Sequence, residues 1–110
     1  MIINQLNLTI ESGADFILNF TITDEDEAVV DLTGSTVRSQ IREFPESNEY
    51  MPFTCIHNSE GGMVTLSMSG ADTAKIGYTR GVYDVFIQYA NDAIEKILQG
   101  DVHIIPAVTR

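Results

Sequence analysis

Strict alternation of side chains in the last third of the chain is the feature that most constrains its fold. Between Gly81 and Ala90, every second residue is aliphatic or aromatic. These residues are Tyr83, Val85, Ile87 and Tyr89. A period of two predicts a β-strand with one buried face. Asn91-Asp92-Ala93 then supplies turn chemistry, and a second apolar run follows from Ile94 to Val108. The sequence therefore predicts a long closing β-hairpin in an all-β protein.

Shorter alternating segments, separated by turn signals, fill the rest of the chain. The clearest runs from Phe16 to Ile22 and places Phe20 in the core. A second, from Thr36 to Phe44, has apolar and polar faces. Short strands at this spacing predict an antiparallel β-sandwich, immunoglobulin-like or jelly-roll-like.

One segment is predicted to be helical, and it is short. Ser69 precedes Asp72 by three residues, which resembles a capping box, and residues 70–76 then allow about two turns before Gly77. At 110 residues, without an internal repeat, the chain is expected to form one domain over residues 1–110.

Composition excludes several classes of partner. The net charge is -10, from 16 acidic residues against 6 Lys and Arg, so a nucleic-acid partner is not expected. The single cysteine, Cys55, rules out an internal disulfide and is typical of a reducing compartment. With neither a signal pattern nor an apolar run near the ~20 residues that a membrane helix requires, the chain is expected to start in a cytoplasm and to need no membrane.

The sequence contains no motif that is typical of catalysis or of metal binding. The acidic run from Asp24 to Glu27 lacks the spacing and the glycine of a calcium loop and is better explained as a solvated turn. His57 and His103 stand far apart without ligand-type partners, and no serine lies in a nucleophile elbow. We expect no catalytic residues, no cofactor and no metal.

Two pairs of residues in the first half of the chain are candidates for contact with a partner. Arg38 and Arg42 share the polar face of one predicted strand, where they could meet an acidic neighbouring subunit or pair with acids on the adjacent strand. Tyr50 and Met51 lie at a polar, proline-flanked loop, either as interface anchors or folded back on the core.

The chain ends are the candidates for open sheet edges. An all-β domain must block its free edges or use them to add a partner's strand, and Met1–Ile10 and Ile97–Arg110 are the expected edges. In the second, Pro106 cannot donate to a ladder, and a short tail continues past it. Contacts with other subunits are expected at Pro106, Ala107, Val108, Thr109 and Arg110.

Four segments carry a resemblance to a known class of domain. In order they are DLTGSTVRSQIR, GGMVTLSMSGADTAKI, GVYDVFIQYAND and KILQGDVHIIPAVTR. Together they resemble a β-sandwich domain that recurs in virion proteins of tailed bacteriophages, and they are similar to the N-terminal domain of siphophage upper-baseplate proteins. The resemblance covers residues 31–110 and transfers no site residues.

The resemblance implies a non-enzymatic structural role in the virion. Such domains pack into symmetric assemblies through edges and termini, so the implied partners are other virion proteins and further copies of the chain. Longer relatives continue into a coiled coil or a receptor-binding head, whereas this sequence stops at Arg110, which favours a stand-alone adaptor, baseplate or fibre-attachment subunit, or a head-surface protein, over a receptor-binding protein. Of these we expect a tail, baseplate or fibre-attachment adaptor. The alternatives are a capsid decoration protein and a carbohydrate-binding module. The second would use Tyr50, Tyr78, Tyr83 and Tyr89, since the chain has no Trp.

Overall fold

The computed structural model describes residues 4–24, 26–58 and 61–109, and in these residues it shows two β-sheets and one helical turn. The elements are β1 (Asn4–Gln5), β2 (Leu8–Glu11), β3 (Phe16–Thr21), β4 (Thr36–Arg42), β5 (Met51–Pro52), β6 (Thr54–Asn58), β7 (Met63–Met68), α1 (Gly70–Thr73), β8 (Arg80–Gln88) and β9 (Ile94–Ile105). The large sheet has the order β1-β9-β8-β4-β5, with β2 also on β9. The small sheet has the order β3-β7-β6. The predicted β-sandwich is confirmed.

The predicted closing hairpin is present as β8 and β9, which pair antiparallel along their length. Asp92 supplies the left-handed turn residue, with φ of 68°, and the Asn91 side chain accepts a hydrogen bond from the Ala93 N–H at 3.0 Å. The register shifts between Val85 and Phe86, opposite Ile97, which is 6% exposed. The bulge lets β9 place one extra apolar residue inside.

The prediction that Ile97–Arg110 is an open edge is wrong as far as Ile105. Strand β9 lies inside the large sheet, with β8 on one side and β1 and β2 on the other. The two N-terminal strands run parallel to β9, so the large sheet is not purely antiparallel. Because β9 is twelve residues long, the side that does not face β8 has room to pair with both β1 and β2. The predicted N-terminal edge, by contrast, is an edge from Asn4 onward, and its first three residues lie outside the described residues.

The small sheet has a closed centre and a more open side. In β7, Val64 and Leu66 are completely buried, whereas the inward residues of β3 are half-buried. Phe20 points inward and packs against the core as predicted, but it is only half-buried because β3 has a neighbouring strand on one side only.

The buried core fills the space between the two sheets. Its least exposed side chains come from both sheets and from the segment before β4. They are Ile10, Leu32, Ile41, Val64, Leu66, Val85, Ile87, Val102 and Ile104.

The predicted helix is one turn, shorter than expected. The Ser69 hydroxyl accepts from the Asp72 N–H at 3.2 Å, which confirms the cap. The buried Thr73 then fixes α1 to the start of β3, since its hydroxyl donates to the Ala14 carbonyl at 2.9 Å and accepts from the Gly13 N–H at 3.0 Å. The turn serves as a connector between sheets.

The turn between β6 and β7 depends on one glycine. Gly62 has φ of +64°, and a Cβ there would lie 2.6 Å from Val29 and 2.9 Å from the Val30 carbonyl oxygen. Only glycine meets both requirements. Ser59 and Glu60, which come just before the two glycines in the sequence, lie outside the described residues.

Candidate interaction surfaces

The side chain of Arg42 makes its contacts within the chain itself. Its guanidinium donates to the Ser47 carbonyl and, at 3.0 Å, to the Gln40 amide oxygen. It also lies 4.9 Å from the centre of the Tyr50 ring. These contacts hold the loop between β4 and β5 against the outer face of the large sheet. The partners are neutral, so Arg42 does not make the predicted pairing with an acid of the adjacent strand.

Arg38 lies four residues before Arg42 on the same face of β4 and is exposed. Within residues 4–24, 26–58 and 61–109 its side chain makes no hydrogen bond, ion pair or ring contact. Across the ladder lies Phe86, beside which Lys96 pairs with Asp84 at 3.6 Å. The outer face of the large sheet therefore carries several charges of both signs, and the exposed Arg38 side chain is one of the cations there.

Tyr50 and Met51, adjacent in sequence, have different environments. Met51 lies in β5, where it pairs with Ile41 of β4, and its side chain packs against the core. Tyr50 is 51% exposed and covers the Arg42 guanidinium. Of this pair, Tyr50 is the side chain with surface available for a partner.

The tail beyond β9 lies outside the ladders. Pro106 and Thr109 are exposed, Ala107 is half-buried, and Val108 is 97% exposed. Arg110 lies outside the described residues. The predicted contact segment thus starts where β9 ends, and Val108 presents an apolar side chain to solvent.

The N-terminal edge of the large sheet is interrupted at Leu6 and Asn7. The Leu6 carbonyl crosses over Gly100, where an added Cβ would lie only 2.0 Å from its oxygen. The same oxygen accepts the Tyr83 hydroxyl at 2.6 Å, and the Asn7 side chain accepts from the Asp101 N–H at 3.0 Å. This crossing splits the edge into strands of two and four residues, too short to be a good template for a partner strand.

Tyr83 is correspondingly well buried, at 4% exposure. Burial raises its pKa to about 12 from an ordinary value near 10. The phenol is a structural donor in its neutral form.

The other edge of the large sheet is also blocked. Strand β5 has only two residues, one of them Pro52, which has no N–H. The next residue, Phe53, still donates to the Ser39 carbonyl at 3.0 Å before the chain crosses to the small sheet. Both edges of the large sheet therefore resist further pairing.

The small sheet differs, and sequence reasoning did not identify its outer face as a surface. Each row across β3, β7 and β6 presents three outward residues. They are Ile17, Ser67 and Thr54, then Asn19, Thr65 and Ile56, then Thr21, Met63 and Asn58. None is ionisable, although the chain has a net charge of -10. We call these nine residues the uncharged face; within it, Ile17 is 65% exposed and Ile56 62%. The available signal was the absence of charge from three alternating segments.

Metal-type ligands are not gathered at one place in the part of the chain that the structure describes, where no three His, Cys, Asp or Glu converge as metal ligands would. The Asp24 carboxylate accepts from the Asp26 N–H at 2.9 Å and the Ala28 N–H at 3.0 Å, as in a solvated turn. Burial raises the pKa of the Cys55 thiol, which lowers its reactivity. No described helix is long enough to cross a membrane.

The four tyrosines do not form an exposed platform. Tyr83 is buried, Tyr78 and Tyr89 are half-buried, and Tyr50 lies apart on Arg42. Sugar recognition through stacked aromatic rings therefore finds no support from these residues.

The two packed sheets define the molecule as a small β-sandwich. Comparison with protein families gives the class a name. Residues 3–104 match the family of LtfC-like β-sandwich domains, and the chain belongs to it. The family is associated with phage tail fibres and baseplates, so the protein is a phage-related β-sandwich domain. Its similarity to upper-baseplate proteins in particular stays a prediction. Among curated proteins, none matches the chain.

Proposed function

We propose that this protein is a non-enzymatic structural subunit of a tailed-phage virion, and that it acts as an adaptor in the tail, baseplate or fibre attachment. Membership of the LtfC-like family over residues 3–104 is the observation that carries the proposal. The association of that family with tail fibres and baseplates supports the tail end of the particle over the head. The partners are then other virion proteins and further copies of this chain.

The surfaces of the molecule support contact through main chain and neutral side chains. Val108, Tyr50 and the uncharged face are all exposed to solvent. The described residues hold no cluster of side chains that could bind a metal ion. Assembly of an acidic subunit is easiest where charge is absent, because like charges brought together repel.

Immunogold labelling of intact particles with an antibody to this chain tests membership and location together. We expect label at the tail tip. Label over the capsid would instead establish decoration of the head, and its absence from particles, with the protein present in the lysate, would reject a virion role. Antibody preabsorbed with the purified chain is the control.

The tail after β9 provides a second test. Deleting residues 107–110 should leave thermal stability nearly unchanged, because Val108 and Thr109 are exposed, while reducing incorporation into particles. Normal incorporation of the shortened chain would remove the tail from the assembly contacts.

A further inference from the structure

The free edge of β3 lacks the features that ordinarily keep edge strands from pairing. Such strands are usually short, or carry charges, proline or a bulge. Strand β3 has six residues with none of these, and its ladder to β7 is continuous. Both edges of the large sheet are blocked, and β6 starts from Phe53, where the chain is still bonded to β4. Strand β3 is therefore the longest unblocked edge in the described residues.

The hydrogen-bonding direction of β3 is fixed by its pairing with β7. The Ile22 N–H donates to the Gly62 carbonyl directly opposite, at 2.8 Å, so even-numbered residues bond toward β7. The main-chain groups of Ile17, Asn19 and Thr21 point the other way. In the part of the chain that the structure describes, none of these three residues has a main-chain hydrogen bond on that side.

We propose that β3 pairs antiparallel with β3 of a second copy of this chain across a two-fold axis. The register that uses all three outward residues places Asn19 opposite the same residue of the second copy, and Ile17 opposite Thr21. Alternation then gives about six intermolecular main-chain hydrogen bonds. The two small sheets become one continuous six-stranded sheet.

The residue pattern of β3 is self-complementary in this register. On the inner face, Phe20 of one copy lies opposite Leu18 of the other. Both are half-buried in the single chain and packed against the core, and pairing covers more of their surface. On the outer face, the two uncharged faces join edge to edge. Hydrogen bonding alone would accept many partner strands, so this apolar match is what selects a second copy.

Charge limits where two copies can meet. Each carries a net charge of -10, and the contact proposed here brings together strands without any ionisable residue. Acid flanks β3 at both ends, as Asp15 before it and the turn from Asp24 after it. The antiparallel pairing brings these ends near each other, so association should strengthen as salt rises.

The contact is small for a protein interface. One six-residue edge covers less than the roughly 800 Å² per partner of a stable complex, so we expect reversible dimers in solution. Many copies held in a particle would strengthen it through high local concentration. The inference rests on the proposed assembly function for its role, but dimerisation can be measured without particles.

Sedimentation equilibrium of the purified chain over a wide concentration range, at low and high salt, tests the pairing. We expect a monomer–dimer equilibrium that shifts toward dimer with salt. Asn19→Lys places two like charges side by side at the axis and should weaken association about tenfold or more. Ile56→Lys is the matched control, because it adds the same charge to the same exposed face on the opposite strand and should change association little.

Mixing complementary variants tests the register. Asn19→Asp alone should weaken dimerisation as Asn19→Lys does, whereas an equimolar mixture of the two should restore it by pairing Lys with Asp across the axis. Amide exchange gives an independent readout, since the N–H groups of Ile17, Asn19 and Thr21 should exchange quickly at low concentration and become protected at high concentration.

Each outcome decides the proposal. A chain that stays monomeric at every concentration and salt, with these amides unprotected, overturns it. Association that Ile56→Lys abolishes and Asn19→Lys leaves intact means stacking of the uncharged faces, which also overturns it. Particles that contain the chain while the purified protein never dimerises would reject the β3 pairing alone, whereas dimers without incorporation would reject the virion role alone.

Discussion

The two sheets of this sandwich manage their edges and outer faces in opposite ways. The large sheet ends in short strands, interrupted at Leu6 on one side and limited by Pro52 on the other, and its outer face carries Arg38, Asp84 and Lys96. The small sheet ends in the continuous strand β3 and has an outer face without charge. One fold can thus keep one sheet closed while the other is open to contact. Contact with a partner through a sheet edge then needs only the one unblocked edge, that of β3.

Truncation of one side chain in each of two neighbouring strands tests how open the small sheet is. Leu66→Ala in β7 should lower the free energy of unfolding by about 4 kcal/mol, because this side chain is completely buried. Phe20→Ala in β3 should lower it by only about 2 kcal/mol, since the ring is half-buried. Urea unfolding at low protein concentration measures both in the monomer. Equal losses would mean that β3 is packed as tightly as the central strand.

Addition of one methyl group at the N-terminal crossing tests how the large sheet is closed. Gly100→Ala puts a Cβ within 2.0 Å of the Leu6 carbonyl oxygen, so main chain must move, at an expected loss of about 3 kcal/mol. The Leu6 N–H, which donates to Gln99 at 2.9 Å, should lose exchange protection. Gly77→Ala is the control, since nothing lies within 4 Å of the added carbon. A tolerated Gly100→Ala would show that the crossing is not tightly fitted.

Removal of the Tyr83 hydroxyl tests the same crossing with a smaller change. Tyr83→Phe loses the hydrogen bond to Leu6, worth about 1 kcal/mol near neutral pH. In the wild type, burial raises the Tyr83 pKa to about 12, so the folded state holds this proton more tightly than the unfolded state does. That stability is complete below pH 10 and is lost as pH rises from about 10 through 12.

Alkaline unfolding followed by circular dichroism checks the sign. Tyr83→Phe should lose less stability than the wild type over that pH range. Burial also raises the pKa of Tyr78 and Tyr89, so part of the alkaline loss should remain in the variant. An unchanged pH dependence would mean that the Tyr83 phenol ionises as easily in the folded state as in the unfolded chain.

Local signals in the sequence were sufficient for the elements that depend on neighbours along the chain. Alternation and turn residues predicted the hairpin of β8 and β9, and Ser69 predicted the start of α1. These features need only the period of the side chains and the chemistry of a cap.

Features that depend on strand order were not predictable in the same way. Alternation shows which side of a strand faces the core but not which strand lies beside it, so the parallel pairing of β2 with β9 left no signal. The half-burial of Phe20 follows from the edge position of β3, which is likewise a matter of order. The uncharged face arises only when three separate segments are brought side by side.

The smallest predicted effects concern the two arginines on the large sheet. Arg42→Ala should cost about 1 kcal/mol, because it removes hydrogen bonds to Ser47 and Gln40 and the contact with Tyr50. Arg38→Ala should change the thermal midpoint hardly at all. Comparable destabilisation by the two would show that Arg38 supports the fold. If stability is unchanged while incorporation into particles falls, Arg38 contacts a partner, and the large sheet also contributes a contact surface, through its charge.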